Sequence, residues 1–279
     1  MIPRRPVLRY HGGKWRIAPW IIRHFPAHHI YVEPFGGAAS VLMRKDRAPK
    51  AEVYNDLDGD VVNVFRVLRD PKTAARLRAM CELTPFSRVE FFESYEPTDD
   101  PVERARRTIA RTFMAHGSTH RRAHRTGFRA RTWLNKASSA VTWTGWPAQV
   151  PAYVNRLRGV TIENRPALEV IAQQDSAETL FYVDPPYPLS TRTSVRCESE
   201  SDGGRAYVHN LSDDDHRELL GVLREAEGMV VVSGYACALY DQVLSDWRRA
   251  SKEVRADGGA ARVEHLWIKP GTERLELFA

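Results

Sequence analysis

The sequence predicts an α/β fold in which an open sheet is interrupted by a largely helical insertion. Short apolar runs bounded by turn residues alternate with stretches of helical periodicity in residues 30–69, and this alternation returns in residues 159–270. From residue 71 to about residue 155 helix-like, arginine-rich sequence takes its place. Because alternating strands and helices favour a sheet covered by helices, the arginine-rich stretch is interpreted as an insertion.

The first part of the chain predicts a βαβ unit. Strands are expected at residues 30–34 and 51–56, with a glycine turn and a helix over residues 39–43 between them. The following residues, 60–69, predict a longer helix, because apolar side chains recur on one helical face: Val61, Val64, Phe65 and Leu68.

The second part of the chain repeats the alternation. Strands are predicted at residues 159–165, 179–186, 229–235 and 263–270. Helices are predicted at residues 167–174, 212–226 and 240–247. Ser212 is placed to cap the second of these helices, and the acids that follow it lie in the first turn, where the helix dipole favours negative charge.

The composition is that of an ordinary globular protein, with 43% hydrophobic and 27% charged residues. No run approaches the ~18 apolar residues of a membrane span, and the N-terminus lacks the apolar centre of a signal peptide. We therefore expect no membrane association and a location in the cytoplasm.

The cysteines and histidines predict neither a disulfide framework nor a metal site. The three cysteines have no paired spacing and leave an odd one over: Cys81, Cys197 and Cys237. The spaced histidines of the insertion share no clear helical face and have no cysteine nearby: His116, His120 and His124.

Positive charge is concentrated in residues 101–158, which hold twelve Lys and Arg residues against the single acid Glu103. A run of charge is usually a solvated face, but so basic a segment would repel itself without a polyanion. We expect it to bind nucleic acid, with Phe128 and Trp133 interleaved among the contacting arginines: Arg121, Arg122, Arg125, Arg129 and Arg131.

A glycine pair, Gly36 and Gly37, follows the first predicted strand in the stretch EPFGGAAS. Such a turn lets the backbone approach a ligand at the carboxyl end of a sheet. Asp56, about twenty residues on, ends the next strand, where a carboxylate accepts hydrogen bonds from a ribose diol. The two features together favour a cofactor that contains adenosine over a purely structural turn.

Two further stretches carry candidate site residues. In RYHGGKW, residues 9–15, Tyr10 and Lys14 bracket two glycines, which suits a small ligand with a carboxylate but also a flexible N-terminal loop. In FYVDPPYPLS, residues 181–190, consecutive prolines must end the strand, so that Asp184 and Tyr187 stand at its mouth. Taken alone, that stretch fits a stiff exit loop equally well.

The stretches RYHGGKW, VEPFGGAAS, YNDL and DPPY, in that order and with a basic insertion before the last, resemble the Dam-like DNA adenine methyltransferases, including phage-encoded members. The resemblance covers nearly the whole chain. It implies a Rossmann-like class I methyltransferase sheet formed by residues 1–70 and 156–279, with residues 71–155 as an inserted target-recognition domain.

The resemblance also implies S-adenosyl-L-methionine as the cofactor. Lys14 is expected near its methionine carboxylate and Asp56 on its ribose, while aromatic and acidic groups attract the sulfonium. The cofactor-binding residues implied are Tyr10, Lys14, Glu33, Phe35, Gly36, Gly37, Asp56 and Asp184.

The resemblance assigns catalysis to the DPPY motif. Asp184 and the Pro185 carbonyl would accept hydrogen bonds from the adenine amino group, and Tyr187 would stack on the base after it leaves the duplex. The partner implied is double-stranded DNA, with the protein a monomer in solution and a dimer on DNA left open, and the place implied is the cytoplasm of a bacterial or phage-infected host cell.

Three matters stay open at this point. The same DPPY chemistry serves RNA and cytosine amino methyltransferases, and a non-catalytic DNA-binding regulator is a further alternative. The insertion has no obvious match to the best-known recognition hairpin, so the recognition sequence is not predicted. Neither is membership of a restriction-modification system, nor a role for residues 188–206.

Overall fold

The computed structural model describes residues 2–10, 12–116, 125–130, 138–188, 210–255 and 261–272. Seven strands in these residues form one mixed sheet. They are β1 (Ile30–Glu33), β2 (Ala51–Asn55), β3 (Val160–Glu163), β4 (Thr179–Val183), β5 (Met229–Gly234), β6 (Arg248–Arg255) and β7 (Ala261–Ile268). Their order across the sheet is β3-β2-β1-β4-β5-β7-β6.

The described residues also form ten α-helices. They are α1 (Ala18–Ile22), α2 (Gly59–Arg69), α3 (Pro71–Leu83), α4 (Arg88–Glu93), α5 (Pro101–Met114), α6 (Ser139–Thr144), α7 (Val150–Leu157), α8 (Ala167–Gln174), α9 (Asp213–Glu225) and α10 (Ala238–Val243). Aspartate side chains cap α2, α3 and α5, and the last two begin with proline, whose missing N–H costs nothing in a first turn. No helix in the described ranges combines the length and apolar character needed to cross a bilayer.

The contacts within the chain group it into two units. The first unit is Met1–Ala18, Gly37–Lys45 and Asp58–Asn164, and the second is Pro19–Gly36, Asp46–Leu57 and Arg165–Ala279. The predicted insertion, residues 71–155, lies within the first unit, where its described residues include α3 to α7. Its assignment as a separate recognition domain stays a prediction.

In the first unit, buried aromatic side chains fasten the N-terminal segment to the helices. The indole N–H of Trp146 donates to the Val7 carbonyl at 2.8 Å, and the Tyr153 hydroxyl lies 3.1 Å from the carbonyls of both Arg5 and Pro6. Because both aromatic side chains are fully buried, these main-chain acceptors satisfy polar groups that would otherwise be costly to bury.

In the second unit, β1 pairs in parallel with β2 and with β4, β4 pairs in parallel with β5, and β7 runs antiparallel between β5 and β6. Every residue of β4 is buried, as its continuous apolar sequence predicts. Phe181 and Val183 of β4 share a core with Leu220 of α9 and Trp267 of β7.

The predicted α/β class is confirmed, and each predicted strand contains an observed one except the last, residues 263–270, which overlaps β7 but begins two residues after it. The helix predicted over residues 39–43 is wrong, because these residues form turns and Ala39 has a φ of 50°. A left-handed residue cannot continue a right-handed helix. Strand β6 was not predicted, and the helix expected at residues 240–247 ends at Val243.

Candidate active site

Three acidic side chains of the second unit lie at one edge of its sheet. Glu33 is the last residue of β1, Asp56 follows β2 and Asp184 follows β4. Since β1 runs parallel to both neighbours, the carboxyl ends of all three strands meet at the same edge. The chain leaves β1 first towards β2 and returns later on its other side as β4, which is the type of switch point where open α/β sheets bind ligands.

Glu33 is a buried carboxylate held by a tyrosine of its own strand. The Tyr31 hydroxyl donates to Glu33 Oε1 at 2.6 Å, and both side chains are buried. Burial and the Glu33 charge raise the pKa of Tyr31 well above its ordinary value, so the phenol stays a donor at any physiological pH. The acid is therefore fixed in place at the strand end.

The loop after β1 is fastened to the end of β2. The Gly36 amide donates to the Asn55 carbonyl at 2.7 Å, and the Asn55 side-chain amide donates to the Pro34 carbonyl at 2.8 Å. A Cβ on Gly36 would lie 2.1 Å from the buried Tyr54 ring, so only glycine fits there. This packing fixes the position of the loop after β1 next to Asp56.

In the first unit, the second glycine and the N-terminal motif lie together. Gly37 has a φ of +48°, and a Cβ there would come within 3.1 Å of the Tyr10 ring. The Gly13 amide donates to the Tyr10 carbonyl at 3.1 Å, and the buried Lys14 ammonium donates to the Gly12 carbonyl at 2.9 Å. The motif forms a defined turn, although the cofactor contacts of Tyr10 and Lys14 stay predictions.

The DPPY segment leaves β4 with its aspartate half-buried and its tyrosine packed. Burial and the charge of Asp184 raise the pKa of Tyr182, the strand residue below it, well above the ordinary value. The Tyr187 hydroxyl donates to Glu264 Oε1 at 2.6 Å, and its ring meets the Tyr235 ring edge-on with centroids 4.7 Å apart. Sequence reasoning missed Glu264 because 77 residues separate it from Tyr187 and no local spacing connects the two.

Helix α5 holds four arginines of the basic segment, and acidic side chains of the first unit pair with them. Arg106 contacts Glu103 and Glu90, each at 2.7 Å, while Arg107 contacts Glu103 at 2.6 Å. The fully buried Arg111 donates to the Ser94 carbonyl. The guanidinium groups of Arg111 and Arg104 lie 3.5 Å and 3.6 Å, respectively, from the Asp60 carboxylate. The α5 arginines, which were not among the predicted DNA contacts, therefore stabilise the helical packing, and two of the acids that pair with them, Asp60 and Glu90, lie outside residues 101–158.

The predicted DNA-contacting arginines divide into two groups. Arg125 is exposed, lies over the Tyr95 ring at 5.4 Å and pairs with Glu96 at 3.2 Å. Arg129 is half-buried, and its guanidinium donates to the Ala115 carbonyl at 3.1 Å. The remaining three candidates, Arg121, Arg122 and Arg131, lie outside the described residues. The same is true of most of residues 188–206 and of four other residues singled out from the sequence: Trp133, His120, His124 and Cys197.

Comparison with known families decides what this arrangement belongs to. The family model of the D12 class N6 adenine-specific DNA methyltransferases matches residues 10–216. The chain belongs to this family. The match to the D12 class begins at Tyr10 and includes the glycine turn, Asp56 and the DPPY motif, whereas β5, β6 and β7 lie beyond it. The predicted Dam-like family is thereby confirmed.

Curated relatives of this D12-class chain are DNA adenine methylases of bacteria. That of Vibrio cholerae serotype O1 is 26% identical over 204 residues, which is 68% of each chain. That of Escherichia coli K12 is 30% identical over 111 residues, 38% of this chain and 39% of the relative. That of Serratia marcescens is 33% identical over 69 residues, 25% of each. The alignments thus span between a quarter and two fifths of the Serratia and Escherichia proteins.

Proposed function

We propose that the protein transfers the methyl group of S-adenosyl-L-methionine to the exocyclic N6 amino group of a flipped-out adenine in double-stranded DNA. The observation that carries the proposal is the meeting of Glu33, Asp56 and Asp184 at one sheet edge, with Asp184 opening the DPPY motif. Membership of the D12 class and the similarity to DNA adenine methylases support this reaction.

The donor set of this edge fits the cofactor. The Asp56 carboxylate suits a ribose diol, and the close-packed Gly36 turn leaves backbone rather than side chain at the strand end. When bound, S-adenosyl-L-methionine supplies an electrophilic methyl group on a sulfonium, and carboxylate and aromatic groups such as Glu33 and Phe35 attract that cation. For Tyr10, Lys14 and Gly37, cofactor contacts are proposed from the family resemblance alone.

The DPPY motif acts on the base. The adenine amino nitrogen is a poor nucleophile because its lone pair is delocalised into the ring. Asp184 and the Pro185 carbonyl accept hydrogen bonds from that amino group and orient its lone pair, so the rate enhancement comes from positioning and electrostatics. Tyr187 stacks on the extruded base, an interaction worth ~1–3 kcal/mol.

We assign the catalytic domain to residues 1–70 and 156–279 and target recognition to residues 71–155. Exposed basic side chains of residues 71–155, Arg125 among them, serve as phosphate contacts in this proposal. Hydroxyl-radical footprinting of the bound protein tests the assignment, which predicts that protected residues concentrate in residues 71–155. Protection confined to the other ranges contradicts it.

Methyl transfer itself tests the proposed reaction. The protein is incubated with methyl-labelled S-adenosyl-L-methionine and duplex DNA, RNA or no nucleic acid, and the labelled nucleoside is identified after digestion. We expect label in N6-methyladenine of the duplex alone. Label in cytosine, in RNA or nowhere contradicts the proposal, and sequencing with modified-base detection then identifies the recognition sequence.

The Asp184→Ala variant tests the catalytic assignment against a matched aspartate. We expect it to lose methyl transfer while retaining its melting temperature and most of its affinity for DNA. Asp214→Ala is the control, because the Asp214 side chain is 93% exposed on α9 and pairs with Arg217 of the same helix. A wild-type rate in Asp184→Ala removes Asp184 from the mechanism.

Cofactor binding is measured separately from transfer. A ligand that binds only the folded state raises the melting temperature in proportion to the logarithm of its concentration. We expect S-adenosyl-L-methionine to raise that of the wild type and, at equal concentration, to raise that of Asp56→Ala much less. An equal shift in both proteins rules out the ribose contact.

A further inference from the structure

A buried glutamate of the second unit holds the tyrosine of the DPPY motif. Glu264 lies on β7, outside the family match of residues 10–216, and is 3% exposed. Its Oε1 accepts hydrogen bonds from the Tyr187 hydroxyl at 2.6 Å and from the Ser233 hydroxyl at 2.8 Å. Ser233 lies on β5, which pairs with β7, so the sheet itself brings this carboxylate to the motif.

The physical chemistry of this contact favours a fixed geometry. A buried carboxylate is costly unless hydrogen bonds compensate for the lost water, and here two hydroxyls point at one of its oxygens. Hydrogen bonds to a charged acceptor are short and about twice as strong as neutral ones, and the Tyr187–Glu264 distance is in that range. The Tyr187 hydroxyl is therefore anchored to the sheet.

The Tyr187 ring is constrained from a second direction. It is 6% exposed and meets the Tyr235 ring edge-on at an interplanar angle of 65°. Tyrosine has only two side-chain torsions, so anchoring its hydroxyl and packing its ring defines the ring plane. A ring whose plane is already set loses less conformational freedom when an adenine stacks on it.

We propose that Glu264 is a positioning residue, which holds the Tyr187 ring in the orientation that receives the target adenine. This inference rests on the proposed function. It assigns part of the base site to the C-terminal strands β5 and β7, with Ser233 orienting the Glu264 carboxylate. Glu264 acts through Tyr187 and touches neither cofactor nor base.

The test compares Glu264→Gln, Tyr187→Phe and the double variant. Glu264→Gln keeps the side-chain shape but removes the charge, whereas Tyr187→Phe keeps the stacking ring but removes the donor. Glu253→Gln on the adjacent strand β6 is the matched control, because Glu253 is exposed. Each protein is assayed for kcat, for KM towards DNA and cofactor, and for melting temperature.

We expect each single variant to lower kcat roughly tenfold with little change in KM for the cofactor, as loss of one charged hydrogen bond implies. The double variant should be no slower than the slower single variant, because both changes remove the same contact. A wild-type kcat in Glu264→Gln, a faster enzyme, or additive losses in the double variant would overturn the inference.

A measurement independent of methyl transfer separates this inference from the proposed function. Ring-labelled tyrosine NMR detects the Tyr187 signals, which Tyr187→Phe assigns by their absence. We expect Glu264→Gln to shift them and Glu253→Gln to leave them unchanged. Unshifted signals disprove the contact. If the wild type transfers no methyl group to DNA while the shift is seen, the proposed function fails, and with it the role of the contact in base binding.

Discussion

A Cβ atom on Gly36 would lie 2.1 Å from Cε2 of Tyr54, well inside the distance at which two carbon atoms repel. The Tyr54 ring is fully buried on β2 and has no room to withdraw. The Asn55 carbonyl, 2.9 Å from the same position, is main chain and cannot move without disturbing the strand. The glycine requirement at this turn is therefore set by the neighbouring strand.

We predict that Gly36→Ala destabilises the protein by ~1–3 kcal/mol, the usual cost of overpacking, and weakens cofactor binding by displacing the loop next to Asp56. Gly221→Ala is the control, since a Cβ there meets nothing within 4 Å on the exposed face of α9. It should stabilise the protein by ~0.5–1 kcal/mol through helix propensity. Urea unfolding measures both, and equal effects of the two changes would contradict the packing argument.

The ion pairs of Glu103 with Arg106 and Arg107 predict that acid destabilises the folded protein. Burial acts to raise the pKa of Glu103, but hydrogen bonds from Arg106 and Arg107 outweigh it and leave the pKa below its ordinary value of 4.5. A carboxyl group with a lowered folded-state pKa stabilises the fold above its unfolded pKa, and this contribution is lost as pH falls through the folded value. The free energy of unfolding should therefore decrease from about pH 4.5 downwards.

Glu103→Gln tests this prediction, because the variant has no proton to take up. Its free energy of unfolding should be lower than that of the wild type at pH 7 and should change less between pH 5 and pH 3. Glu93→Gln, at an exposed site on α4, provides the comparison. If Glu103→Gln and the wild type lose stability in parallel on acidification, these ion pairs contribute nothing to the acid response.

The thiols of Cys81 and Cys237 should react at different rates. Cys81 is buried on α3, and burial raises its pKa to about 12, so that almost no thiolate forms at neutral pH. Cys237 is only half-buried, so reagents reach its thiol more easily, although burial raises its pKa as well. Iodoacetamide labelling followed by peptide mass spectrometry should show Cys237 modified first and Cys81 protected until urea unfolds the protein. Equal labelling of both in the native state would contradict this.

DNA affinity should depend steeply on salt if the exposed cations contact phosphates. For about six contacts, the affinity falls roughly a thousandfold between 50 and 200 mM salt. Arg125→Ala should reduce the slope by about one contact. Arg217→Ala is a matched control, since the side chains are 58% and 57% exposed and each pairs with one acid. Fluorescence anisotropy across a salt series measures both, and equal slopes for the two variants would remove Arg125 from the interface.

The interior strands could be predicted because a strand that is buried on both faces has a continuous apolar sequence. Residues 180–183 and 229–232 are continuous apolar runs, and the two interior strands that contain them, β4 and β5, pair in parallel with each other. Strand β6 has no such apolar run, because its sequence, RRASKEVR, carries charge along its whole length and pairs with a single antiparallel neighbour. Its existence depends on β7, which a local pattern does not reveal.

The motifs of the candidate site could be recognised in the sequence, whereas the residues that contact them from other elements could not. Asp56 and Asp184 stand at strand ends, where prolines or turn residues mark the exit from the sheet. Glu264 supports the motif from a distant strand, and Asp60 and Glu90, outside residues 101–158, pair with the arginines of α5. Charge counted along the sequence could not show this pairing, because it depends on how the helices pack.

The position of β6 at the end of the sheet order affects how copies of this protein meet one another. An outermost strand exposes unpaired main-chain groups that invite another chain to extend the sheet. Here the strand carries Arg248, Arg249, Lys252 and Glu253, and the Arg249 guanidinium lies over the Trp267 ring at 5.2 Å. Because RRASKEVR has four basic residues and one acid, two such strands repel each other through their net charge, which opposes the intermolecular strand pairing that leads to aggregation.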